Sequence, residues 1–205
     1  MLITAVEPRK KSLSALFLDG EFAVNIDTET LLKSGYKPGR ELDDEQLHEL
    51  IQASEGRRAG EKALYLLEHR SHSQKELADK ISRVTSREAA EAAAERMAEL
   101  GLVNDEEYAR NLAAELLGRK GYSVSRTRQE LLQKGIDREL AEQIVEEAAP
   151  DPVEKILELI QKKYIRTLDD EKGRRRSIAA LQRLGYRWDD IRTAINRLTD
   201  GEDSI

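Results

Sequence analysis

Cysteine is absent from this 205-residue chain, which excludes a disulfide framework and any thiolate metal site. Proline occurs four times, aromatics make up 4% of the residues and tryptophan occurs once, so a thick aromatic core is excluded too. No apolar run approaches the ~18 residues of a membrane span. The opening "MLITAVEPRKKS" lacks the basic-then-apolar order of a signal peptide. A monomeric protein of the cytoplasm is expected. Catalytic patterns are missing as well. "GRRAGEK" (residues 56–62) has two glycines and a lysine but neither the spacing nor the Ser/Thr of a phosphate loop. His69 and His72 lie three apart with no set of ligands to complete a metal site. No serine sits in a nucleophile turn, and the three histidines have no orienting partner. The expectation is a protein that is not an enzyme, with no cofactor and no metal.

Charge is what the chain has in plenty. Charged residues are 36% and apolar residues 39%, a balance that suits helices with narrow apolar stripes and is too apolar for disorder. The net charge of -6 argues against a general nucleic-acid coat. Its distribution is uneven. Residues 1–117 carry 16 basic and 23 acidic side chains, and residues 118–200 carry 18 and 15. A polyanion contact would therefore favour the C-terminal half.

Residues 1–26 read as strands, with "SLSALFL" meeting "EFAVNI" across Asp19-Gly20, a pair suited to a two-residue type I′ turn. Asp27 is positioned to cap a short helix ending at Gly35, and Asp43–Glu45 open another. "SEGRRAGE" (residues 54–61) reads as a linker, and a domain boundary is expected there. Only helix signals follow. Ser73 with Glu76, and Thr85 with Glu88, have capping-box spacing. Asn104 and Asp137 are further candidate caps. Gly101, Gly121, Gly135 and Gly185 are candidate stops, and Pro150 and Pro152 break the chain.

These signals recur. "RTRQELLQKGIDRE" (126–139) and "RSIAALQRLGYRWD" (176–189) align at an offset of 50, with Leu131 on Leu181 and Gly135 on Gly185. Ile81 falls on Leu131 at the same offset. Lys120 falls on Lys163 at an offset of 43, with the extra residues near "TLDDEKG" (167–173). Such a period in helices marks a repeat array whose units stack to bury enough apolar surface. The predicted fold is mainly α. Tandem three-helix, helix-turn-helix-like repeats would form an elongated curved array, after a small N-terminal β-hairpin or meander with short helices. The expected divisions are 1–58, repeats at 59–104, 105–150 and 151–200, and an acidic tail at 201–205. Trp188 and the tyrosines Tyr108 and Tyr122 are expected in packing roles, Trp188 as a core or inter-repeat anchor.

Arginine also recurs. Arg176 and Arg183 share a helix face away from Leu181, because seven residues fall about 20° short of two full turns. Arg126 holds the position of Arg176 one repeat earlier. With Arg119, Lys120, Lys162, Lys163, Arg166 and Arg175, they form a candidate contact surface for a periodic partner, either a phosphate backbone or a row of acidic side chains. The plainer alternative is a solvated helix face.

"YLLEHRSHSQKELADKI" (65–81), "GLVNDEEYA" (101–109), "LLQKGID" (131–137) and "LQRLGY" (181–186) together resemble the RecX family of regulatory proteins over residues 60–200. "LFLDGEFAV" (16–24) resembles the N-terminal extension of Gram-positive-type members. One departure is Arg187, where the preceding repeat has Asp137. The resemblance implies a partner, the RecA recombinase filament on single-stranded DNA, bound in its helical groove, with its growth, ATP hydrolysis and strand exchange blocked. It implies no catalytic residues. Direct contact with single- or double-stranded DNA is left open. Two other readings stand beside it: a helix-turn-helix DNA-binding repressor, against which the net charge argues, and an inert helical scaffold.

Overall fold

Asp19 and Gly20 both have positive φ, 51° and 89°. They make the tight turn that joins β2 (Leu13–Leu18) to β3 (Glu21–Asp27). With β1 (Ile3–Pro8) these strands form an antiparallel sheet in the order β1-β2-β3. Ile3 pairs with Leu18, and Leu16 with Val24. Ile3, Leu16, Leu18 and Ile26 pack into one buried cluster with Leu31, Leu42 and Leu50. The computed structural model describes residues 1–168 and 170–202. Residues 203–205 of the expected acidic tail, and Asp169 in the expected insertion, lie outside the described residues. The chain divides into two compact units, Met1–Asn104 and Asp105–Ile205. The architecture is mainly α, with this three-stranded sheet at the N-terminus.

In the first unit, the Asp27 carboxylate accepts the Thr30 N–H at 2.9 Å and opens α1 (Thr28–Ser34), which stops at Gly35 with φ 71°. Asp43 and Gln46 form a reciprocal capping box at the start of α2 (Asp44–His69). This 26-residue helix runs without a break through residues 54–61, so the expected linker is corrected. Gly56 and Gly60 each cost a helix roughly 1 kcal/mol against alanine, but α2 serves two cores at once. Leu50 packs in the sheet cluster, while Ala59 and Ala63 pack with α3 (Gln74–Ile81) and α4 (Arg87–Glu99). Between them, the buried Ser54 hydroxyl accepts the Asp27 N–H at 2.7 Å. Ser73 caps α3 as expected, through the Glu76 N–H. The second expected box is corrected by one residue: Ser86 caps α4 through the Ala89 N–H.

The second unit holds two three-helix groups with separate apolar clusters. The first is α5 (Asp105–Ala114), α6 (Val124–Gln133) and α7 (Arg138–Glu147). The second is α8 (Pro152–Leu159), α9 (Glu171–Arg183) and α10 (Trp188–Glu202). Pro152 does not end a helix; it takes the first turn of α8 behind the Asp151 cap, where its missing N–H costs nothing. The 50-residue offset survives in three dimensions. Ile81, Leu131 and Leu181 are all fully buried, each in the second helix of its group. Ile136 and Tyr186 correspond in the same way, as do Ala141 and Ile191, and Val145 and Ile195; all are buried. Trp188 is the exception to its expected role. It is 49% exposed, because Tyr186 and Ile191 already fill the core around it.

A candidate interaction surface

The first helix of each group in the second unit ends in an unusual way. α5 continues into a π-helical turn, Glu115–Lys120, closed by Gly121 with φ 70°. α8 continues into another, Ile160–Tyr164, and then a 3-10 turn, Ile165–Thr167. Wide turns of this kind are rare and collect at functional positions. Each carries a basic pair, Arg119 and Lys120 in one and Lys162 and Lys163 in the other, the residues that correspond at an offset of 43. The buried faces of these turns explain their position: Leu116, Leu117 and Ile160 point inward, which leaves the basic pairs outside.

The nine candidate cations do not form one class. Arg119 pairs with Glu115 at 2.5 Å and Lys120 with the same carboxylate at 3.6 Å. The Arg119 guanidinium holds Glu115 below the usual carboxylate range. Lys162 pairs with Glu158, which also meets Lys155 at 2.7 Å. Lys155 first, and Lys162 after it, push the Glu158 carboxyl down to about 2. Arg175 pairs with Glu171 one turn away. Exposed pairs of this kind stabilise little and exchange easily for a partner's charge. Lys163, Arg166, Arg176 and Arg183 are exposed, and among the described residues they have no acidic partner. Arg174, outside the nine, shares that state.

Arg126 is different. Its guanidinium lies 3.9 Å from the centre of the Tyr122 ring and donates to the Arg183 carbonyl, with Glu130 at 3.8 Å. Its side chain is only about a third exposed. The neighbouring Ser123 N–H donates to the Leu184 carbonyl at 2.9 Å. Arg126 therefore sits in the joint between the two helix groups of this unit, so it does not share the open situation of Arg176. Tyr122 joins it there, so its packing role is the stacking of that arginine.

The remaining polar features are local. His72 is buried and meets Glu76 at 3.1 Å, and Arg70 holds the same carboxylate through two contacts at 3.0 and 3.1 Å. His69 Nδ1 faces the Tyr65 carbonyl at 2.7 Å. Among the described residues no group of three or more His, Asp or Glu could hold a metal ion. No described helix is long and apolar enough to cross a membrane.

Comparison with known proteins decides the family. The chain is 32% identical over 204 residues to the regulatory protein RecX of Caldanaerobacter subterraneus subsp. tengcongensis, covering 96% of this chain and 99% of that one. It belongs to the RecX family. The family model for the second three-helix domain of RecX matches residues 104–144, the stretch from α5 into α7. RecX of Clostridioides difficile is 26% identical, covering 96% of this chain and 95% of that protein. Among solved structures, a regulatory protein RecX superposes with a TM-score of 0.61 at 20% identity, covering 95% of this chain and 98% of that one. RecX from Lactobacillus salivarius gives 0.58 at 24% identity over 72% and 98%. These two likenesses establish the fold.

Proposed function

We propose that this RecX-family chain is a non-enzymatic regulator of the RecA recombinase in the cytoplasm. It binds the filament that RecA forms on single-stranded DNA, within the helical groove. There it inhibits extension, ATP hydrolysis and strand exchange, and so modulates recombination and repair. The observation that carries this is the recurrence of one buried framework, Ile81, Leu131 and Leu181, at a constant 50-residue interval. Like units in one chain suit a polymer of like subunits. Linked contacts add as intramolecular events, so weak individual contacts suffice.

The exposed cations without acidic partners among the described residues, Lys163, Arg166, Arg176 and Arg183, are the proposed contacts, with Arg119, Lys120, Lys162 and Arg175 available by exchange of partners. Arg126 supports them by fixing one helix group against the next. Co-sedimentation with pre-formed RecA filaments tests this. The full chain is expected in the pellet with filaments and in the supernatant without them. Recovery in the supernatant under both conditions, at micromolar concentrations, would refute filament binding.

A further inference from the structure

The second unit carries a groove of about 360 Å³ that none of the nine candidate cations lines. It lies where α6 begins, where α7 hands over to α8 and where α9 turns into α10. Val124, Ala149, Pro150, Pro152 and the Tyr186 ring give it apolar walls. The volume is at the lower end of the roughly 300–1,000 Å³ of ligand pockets, room for a few side chains of an extended segment. Ala149 is exposed, so one wall of the groove is not committed to either core.

The charge at its rim has a definite sense. Arg187 is exposed and has no acidic partner among the described residues. Its counterpart one repeat earlier is Asp137, an acidic cap that accepts the Glu139 and Leu140 N–H groups. The departure from the repeat therefore replaces an anion by a free guanidinium at this groove. Arg128, also on the rim, pairs with Glu142 at 2.8 Å and is available only by exchange of that partner. Asp190 lies on the rim as well, which gives the groove a cationic and an anionic element. One unpaired cation, a second available only by exchange and the Asp190 carboxylate do not match a run of phosphates, which calls for a row of cations. The groove matches a single carboxylate flanked by apolar side chains.

We propose that this groove seats a short extended peptide segment of a protein partner, with an aspartate or glutamate at Arg187 and apolar side chains against Val124, Ala149 and Pro152. The assignment does not depend on the partner being RecA. It identifies Arg187 and Ala149 as determinants of a protein contact that uses none of the nine candidate cations.

Phage selection of short random peptides on the immobilised full chain tests it, with the Ala149→Phe variant as counter-selection. Recovered peptides that lack tryptophan are synthesised and titrated, with the fluorescence of Trp188 as readout; it is the single tryptophan and directly follows Arg187. The expected sequences place Asp or Glu beside apolar residues. Binding should weaken roughly tenfold or more in Ala149→Phe and in Arg187→Glu, the size of effect a lost anchor gives. Both positions are exposed, and circular dichroism checks that both variants keep their helix content. Failure to enrich any peptide, enrichment of basic sequences, or equal binding by both variants overturns the proposal. So does a dimer in light scattering that Ala149→Phe dissociates, since the groove would then serve a second copy of the chain.

Discussion

A Cβ on Gly185 would stand 2.5 Å from the Ser123 hydroxyl oxygen and 2.7 Å from the Arg126 Cβ. The two helix groups of the second unit touch at this glycine, whose φ of +95° disfavours any other residue. Ser123 cannot withdraw, because its hydroxyl caps α6 through the Arg126 N–H at 3.2 Å. Gly185→Ala is therefore expected to lower stability by roughly 2–4 kcal/mol, combining backbone strain with overpacking. Urea unfolding measures it. A change below about 0.5 kcal/mol would mean that the joint yields freely.

Arg126 and the open cations should separate in a single set of variants. Arg126→Ala loses its stacking on Tyr122 and its bond to the Arg183 carbonyl, and should lower stability by about 1–2 kcal/mol. Combined charge reversal of Lys163, Arg166 and Arg176 should change stability by no more than about 0.5 kcal/mol, yet reduce binding to RecA filaments several-fold. Loss of fold in the triple variant would show those side chains to be structural.

Among the described residues, the buried Tyr186 hydroxyl has no hydrogen-bond partner. Its repeat counterpart is the apolar Ile136, also buried. Tyr186→Phe should be neutral or stabilising by up to about 1 kcal/mol, since a buried unpaired hydroxyl carries its desolvation cost uncompensated. Burial first, and the Glu158 charge second, push the Tyr186 pKa up to about 12. The neutral phenol is thus favoured in the folded state. Wild-type stability from this group holds below about pH 10, where an unfolded tyrosine titrates, and is lost as pH rises toward 12. The phenylalanine variant should lack that alkaline loss.

His72 gives a dependence at the acid side. Burial lowers its pKa, against the opposing pull of Glu76. Its neutral form is favoured in the folded state, while the unfolded chain takes up a proton near pH 6.5. Stability should therefore fall as pH drops below about 6.5, because the unfolded state binds more protons there. Arg70 and Lys80 add to the cost of charging it. In His72→Gln, the loss between pH 7 and 5 should be smaller than in the wild type, as followed by thermal unfolding at each pH.

What the sequence made legible was what local chemistry determines. Asp19-Gly20 announces its turn because two positive φ values suit that pair. Asp27, Asp43, Ser73 and Asp137 announce helix starts because their oxygens satisfy backbone N–H groups two or three residues on. The framework of Ile81, Leu131 and Leu181 is legible because the repeat preserves it. The failures have a common cause, contacts distant in sequence. Gly56 and Gly60 look like breakers until α2 is seen to pack on the sheet at one end and on α4 at the other. Arg126 looks like a surface charge because its acceptor, the Arg183 carbonyl, is 57 residues away. The π-helical turns leave no clear signature, since apart from Gly118 the stretch Glu115–Lys120 has an ordinary helical composition. Of the candidate surface, the cations were legible; which of them already hold partners was not.

The central claim is inhibition of a recombinase filament by a chain of like units. The most direct measurement is the single-strand-dependent ATP hydrolysis of RecA with increasing amounts of the full chain. The account predicts a rate that falls well below the uninhibited value at substoichiometric ratios to RecA, and recovers in the Lys163, Arg166 and Arg176 charge-reversal variant. A rate unchanged at equimolar protein would contradict it.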